Sequence, residues 1–204
     1  TKISSTCEMV YHFIRKLGDN SKINSSIAEA IYTGIMTDTG SFKFSSTSSV
    51  THKVVSDLID KGADKTKIHN EIYDNNRIEK IKLLSYALSK IEIIDEYNTS
   101  FISLSQNDLN KFDFKKGDTE GIVNYGLSIK DIKFAAIFIE DKKENIIKIS
   151  FRSKGSFDVN KFSRDNFNGG GHKNASGAVS KDSMSSTIIN FKNALKNYKT
   201  ELNI

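Results

Sequence analysis

Phe151-Arg-Ser-Lys-Gly-Ser-Phe-Asp158, and after it Phe167-Asn-Gly-Gly-Gly-His-Lys-Asn-Ala-Ser-Gly-Ala178, are the stretches from which this 204-residue sequence is read. Gly169, Gly170 and Gly171 carry no Cβ, so a ligand can come close to their backbone N–H groups, and positive φ is open to them. His172 and Lys173 follow directly, and Arg152, Ser153 and Lys154 precede. Cationic and hydrogen-bonding side chains around a donor-rich loop are the equipment of a phosphate site. On residue types alone, the same run also describes an ordinary turn with solvated basic residues.

Working outward, Ala175–Val179 reads as a strand returning from the glycine segment, and Asp158 as the cap of a short helix through Phe162. Residues 132–140 and 146–152 read as two strands of a hairpin joined at 141–145. Upstream of them lie a strand at 99–105, a short helix at 106–112 and a helix at 118–127. A last helix is expected at 185–198. The first half is different. Helices are predicted at 5–17, 26–36, 48–61, 66–74 and 77–91 from apolar residues at helical spacing, with Ser5-x-x-Glu8 and Ser26-x-x-Glu29 as capping boxes. In the first of these, Met9, Val10, Phe13, Ile14 and Leu17 are the expected inner face.

The two quoted stretches together resemble the signature of the C-terminal substrate-binding domain of the DHH phosphoesterase superfamily, in particular its nano-RNase and 3′-phosphoadenosine-5′-phosphate phosphatase branch, relatives of the RecJ exonucleases. Tyr32-Thr-Gly-Ile-Met-Thr-Asp-Thr-Gly-Ser-Phe-Lys-Phe44 resembles the same family's fourth catalytic motif. The resemblance implies an α/β protein of two lobes. Residues 1–76 would be a partial, mostly helical remnant of the catalytic domain, 77–97 a linker helix, and 98–204 a mixed-sheet substrate-binding domain. It implies that Asp38 is catalytic, as a manganese ligand; a bare T-D-T-G is otherwise read as a turn or cap. It makes Arg152 and the amides of Gly169, Gly170 and Gly171 the grip on phosphate, with His172 on phosphate or ribose. Ser153, Lys154, Lys173 and Ser176 are further candidates, as are Glu120 and Asn124 of Glu120-Gly-Ile-Val-Asn124, which is similar to a family segment beside the cleft.

The family's D-x-D and D-H-H motifs do not occur in these 204 residues, and there is no initiator Met. The expectation is therefore a C-terminal fragment that keeps the substrate domain, binds no Mn²⁺ of its own and is inactive. The expected activity of the complete protein is metal-dependent hydrolysis of short oligoribonucleotides or of the nucleotide bisphosphate. The alternatives are a cyclic-dinucleotide phosphodiesterase, an exopolyphosphatase, or a non-catalytic nucleotide- or RNA-binding module. His52 and His69 lie outside any ligand-spaced cluster and are read as packing residues.

Composition fits this picture without adding to it. Residues are 37% apolar and 27% charged with net charge +5, which suits a soluble globular chain with an anionic partner. A single cysteine, Cys7, gives no internal disulfide. No apolar run approaches the roughly 18 residues of a membrane span, so no membrane partner and a cytoplasmic location are expected. A homodimer is expected only by analogy with the family. Proline is absent, where average usage would give about ten; nothing physical explains this.

Overall fold

The computed structural model describes residues 3, 5–44 and 46–203. They divide into two compact units, Thr1–Asn76 and Arg77–Ile204.

The first unit is helical: α1 (Thr6–Lys16), α2 (Ser25–Asp38), α3 (Ser49–Asp60) and α4 (Lys65–His69), the last running into a π-helical turn at Asn70–Asp74. Its core gathers Tyr11, Ile31, Tyr32, Ile35, Met36, Val54, Val55 and Leu58. The helices stand where periodicity places them, but α1 buries another stripe. Met9, Val10, Phe13 and Leu17 are 44–63% exposed, whereas Glu8 and Tyr11 are buried. Polar partners explain the difference. Glu8 Oε2 accepts from Thr51 Oγ1, and Tyr11 donates its hydroxyl to Asp57 at 2.7 Å, so both reach the core with their hydrogen bonds made. Ser5 caps α1 by accepting from Cys7 N. α2 is capped by Asn24, whose side chain accepts from Ile27 N, in place of the expected Ser26.

The second unit is a six-stranded mixed sheet with helices on both faces. Its strands are β1 (Glu92–Ile94), β2 (Thr99–Leu104), β3 (Phe134–Asp141), β4 (Ile146–Ser153), β5 (Gly170–His172) and β6 (Ala175–Ser180), ordered β1-β2-β3-β4-β6-β5. Only β2 and β3 are parallel. A parallel pair needs a crossover, and here it carries α6 (Gln106–Lys111) and α7 (Ile122–Ser128). α5 (Ile78–Ser89) precedes the sheet, while α8 (Val159–Phe167), α9 (Met184–Leu195) and α10 (Lys199–Asn203) complete the unit.

Strand alternation sends Phe134, Phe138, Ile149, Phe151 and Ala178 to one face, where Phe162, Phe167, Phe191 and Tyr198 close an aromatic core. The opposite face takes Ile102, Leu104, Ala135 and Ile137 against Leu83 and Ala87 of α5, Leu109 of α6 and Ile122 and Val123 of α7. α5 thus packs within the second unit.

Three expected elements differ. α7 begins at Ile122 and not at 118, because the Asp118 carboxylate accepts from Lys115 N and Arg77 in a turn, and Gly121 takes φ 81 at the N-cap. α8 continues past Phe162 to Phe167, ending at left-handed Asn168. The glycine segment is the edge strand β5 and not a loop.

Candidate functional site

β5 pairs antiparallel with β6, and β6 with β4, so their registers can be read as rows. His172 faces Ala175, Ala175 faces Arg152, and Arg152 faces Ala135 of β3. Directly paired residues point to the same side of a sheet. Arg152 and His172 therefore share the face that carries Ala135, opposite the aromatic core, with one alanine between them. In the next row Gly170, Gly177 and Ser150 lie side by side, and beyond it Val179 faces Lys148. Apart from Ala135, none of these residues is buried. Helices cover this face over β2 and β3, with α7 reaching β4. Over β4, β6 and β5 the face is a floor of Ser150, Ala175, Gly177 and Gly170, edged by an arginine and a histidine.

Arg152 is half-buried, and its Nη1 donates to Phe151 O at 2.9 Å. Burial draws its pKa below the ordinary arginine value, and the negative charge of Glu120 opposes that shift. A guanidinium in this setting stays protonated. It is a fork-shaped donor held against the sheet, with part of its donor set still available. Glu120 and Asn124 are both exposed, one just before α7 and one in its first turn. Of the two, Glu120 is the one in electrostatic contact with Arg152.

The glycines do something other than form an open cradle of amides. Gly169 N–H donates to Ser163 O at 3.1 Å, and Gly171 N–H to Asn160 Oδ1 at 2.9 Å. Both donors are engaged. The residues are small because the space is missing: a Cβ on Gly169 would stand 2.1 Å from Ser163 Oγ and 2.2 Å from Gly177 O. At Gly171, with φ 153, it would stand 2.5 Å from Ala175 O. Gly170 alone has room, its nearest neighbours being Arg164 Nε and Asn160 Oδ1 at 3.8 Å.

Two further candidates fall on the wrong side. Ser153 Oγ donates to Phe157 O and Ser176 Oγ to Val159 O, both at 2.7 Å, and both residues are buried. A period of two carries them to the aromatic-core face, away from Arg152 and His172. Lys154 lies past the end of β4, where its N–H donates to Lys133 O and it lines a recess with Lys133, Phe157 and Glu201. Lys173 is exposed in the two-residue turn between β5 and β6. Asn160 and Gly177 join the site only in three dimensions. Nothing in its local sequence separates Asn160 from ordinary helix residues, and Gly177, although inside the quoted stretch, reads there only as a strand residue.

In the first unit Asp38 is exposed at the last position of α2, and its Oδ2 accepts from Ser5 Oγ at 2.6 Å. Thr39 folds back to bond Ile35 O, and Gly40, Ser41 and Phe42 all take positive φ in the turn that follows. Among the described residues no group of three or more His, Cys, Asp or Glu side chains could hold a metal ion. His52 packs on Phe42, and His69 lies within 3.3 Å of the Tyr32 hydroxyl, as aromatic packing residues. Among the described residues no helix is long and apolar enough to cross a membrane.

Known proteins match this chain along most of its length. The DHHA1 domain family matches residues 96–203. The bifunctional oligoribonuclease and PAP phosphatase NrnA of Bacillus subtilis is 30% identical over 87% of the chain and 55% of its own length. The probable bifunctional oligoribonuclease and PAP phosphatase NrnA of Streptococcus mutans is 32% identical, over 88% of the chain and 56% of its own length. The chain thus spans about half of each of these curated relatives. The crystal structure of an exopolyphosphatase-related protein from Bacteroides fragilis superposes with a TM-score of 0.94 at 41% identity, covering 100% of the chain and 59% of that protein.

Proposed function

Because the chain belongs to the DHHA1-domain family of the DHH phosphoesterase superfamily, we propose that its second unit binds the sugar–phosphate of a short oligoribonucleotide or of 3′-phosphoadenosine-5′-phosphate, for hydrolysis by the complete protein. The observation that carries the proposal is the Arg152–Ala175–His172 row beside a floor of small residues. A flat, side-chain-poor floor lets a sugar–phosphate lie close to the sheet. The Arg152 fork then meets phosphate oxygens in a fixed plane, and His172 adds a hydrogen bond from the next strand but one. Glu120, acceptor-only when ionised, suits ribose hydroxyls and sets the orientation of the ligand relative to Arg152. The names of the two NrnA relatives support this choice of ligand.

Family resemblance makes Asp38 a manganese ligand, but the residues around it do not make a manganese site. It has one neighbouring hydroxyl, Ser5, and no cluster of further acidic or imidazole ligands among the described residues. Adjacent divalent ions require several such ligands each. The same observation favours a second reading, in which these 204 residues act by themselves as a binding module without turnover.

One experiment addresses both. A fluorescent diadenylate and the nucleotide bisphosphate are titrated into the chain, its Arg152→Ala variant and its His172→Ala variant, with turnover followed in the presence of Mn²⁺. Each charge-assisted contact is worth about 1.5–3 kcal/mol, so each variant should weaken binding roughly tenfold to hundredfold. Unchanged affinity in Arg152→Ala, with folding verified by circular dichroism, removes the proposed grip. Chelator-sensitive turnover by the wild-type chain removes the binding-module reading.

A further inference from the structure

We infer that Arg164 is a second phosphate anchor of this surface, selecting ligands that carry two phosphate groups over those that carry one. The inference rests on the binding site proposed above and adds a specificity residue to it. Arg164 lies on α8, four residues after Asn160, so both side chains leave the helix on the side of β5. Asn160 Oδ1 takes the outward N–H of Gly171 and so fixes the strand edge against the helix. Arg164 Nε then lies 3.8 Å from where a Gly170 Cβ would be. That position shares a face with its partner Gly177, and so with Arg152 and His172. Gly170 is thus the one glycine of the three with a cation and open space over it.

The state of the guanidinium points the same way. Lys148, Lys161, Lys192 and Lys199 of this unit form ion pairs with Asp141, Asp165, Glu92 and Glu96 respectively, whereas Lys154 and Lys173, like Arg164, form none among the described residues. The Arg164 side chain has no hydrogen bond or ion pair among the described residues. Arg152 on β4 and Arg164 beyond β5 stand on opposite sides of the floor. With β6 between them, β4, which carries Arg152, and β5, where Arg164 Nε lies beside Gly170, are two inter-strand spacings apart, about 10 Å. Two cations so placed, each with donors to spare, fit two phosphates joined through a nucleoside. One phosphate would leave one of them unused.

The test compares adenosine 5′-monophosphate with adenosine 3′,5′-bisphosphate and diadenylate, binding to wild type, Arg164→Gln, Arg164→Lys and Arg152→Ala across a salt series. The expected result is that Arg164→Gln weakens the bisphosphate and diadenylate about tenfold and lowers the salt slope by about one, leaving the monophosphate unchanged. Arg164→Lys should recover part of the loss, and Arg152→Ala should weaken all three ligands. An Arg164→Gln variant that binds the bisphosphate as wild type does overturns the inference and leaves the Arg152 site standing. An equal loss for monophosphate and bisphosphate also overturns it, by placing both arginines on one phosphate. Wild type that binds none of the ligands overturns the site itself. Thermal melts of Arg164→Gln separate these outcomes from a role at the C-terminal end of the α8 dipole, which would appear as lowered stability without ligand.

Discussion

A methyl group added at each of the three consecutive glycines meets a different environment, and this separates folding from binding at single positions. At Gly169 the added Cβ runs into a backbone carbonyl and a buried hydroxyl at 2.2 and 2.1 Å, the two groups whose hydrogen bond ties α8 to β6. At Gly171 it meets Ala175 O at 2.5 Å, and the φ of 153 is strained for any side chain. Overpacking of this kind costs about 1–3 kcal/mol, so Gly169→Ala and Gly171→Ala should both lower the urea midpoint. Gly170→Ala has no neighbour nearer than 3.8 Å and should melt like wild type, yet its methyl stands on the binding floor and should weaken the dinucleotide. Equal destabilisation by all three would contradict the packing argument. The sequence marks these glycines as special, but not the reason. An open loop and an edge strand pressed against a helix require the same residue, and the distinguishing contacts come from Ser163 and Gly177. Ser153 and Ser176 illustrate the complement: each is next to a site residue in sequence and faces the other way in the strand.

At the scale of elements, most helices are legible because their apolar residues repeat at 3.6, and β3 because its apolar run is almost unbroken. β5 is not, since three residues, Gly-Gly-His, carry no hydrophobic period. α1 is legible as a helix, but the stripe it buries is chosen by Thr51 and Asp57, which lie far along the chain. α6 shows how a polar group settles an element. Asp108 closes a capping box with Ser105 and receives Tyr86 Oη at 2.7 Å and Lys90 Nζ at 2.9 Å, tying α5 to α6. Burial alone would raise its pKa. The hydrogen bonds from Tyr86, Lys90 and Ser105 outweigh that and hold the carboxyl well below the ordinary carboxylate range. Since the folded-state value is the lower one, the stabilisation is complete above the unfolded value near 3.9 and fades as pH falls below it. Asp108→Asn should therefore cost about 1–3 kcal/mol at neutral pH. The gap to wild type should narrow as unfolding is repeated from about pH 5 toward pH 2, and a gap that stays constant would show that charge plays no part.

At the scale of the whole molecule, the division between the units falls at Asn76 and Arg77, where a sequence reading sees only a helix of connecting length. Arg77 itself is bound to Asp113 and Asp118 at 3.2 and 2.7 Å, and Leu83 and Ala87 of the helix that follows are fully buried against β2 and β3. A segment packed in this way belongs to the second unit in position, and it is expected to fold with it. The residues proposed to bind phosphate, Arg152, His172 and Arg164, all lie in that unit, and two hydrophobic clusters close its sheet on both faces. Residues 77–204 produced alone should then unfold in a single cooperative transition and bind diadenylate within a few-fold of the full chain, with the same Arg152→Ala loss. A chain starting at residue 98 should fail the first of these measurements, because it strips α5 from the sheet and exposes Ile102 and Ala135, which are otherwise almost wholly buried. If residues 77–204 fold cooperatively but bind more than tenfold weaker, the ligand draws on residues of the first unit. Asp38, the carboxylate its sequence motif singles out, would then be the first side chain to substitute.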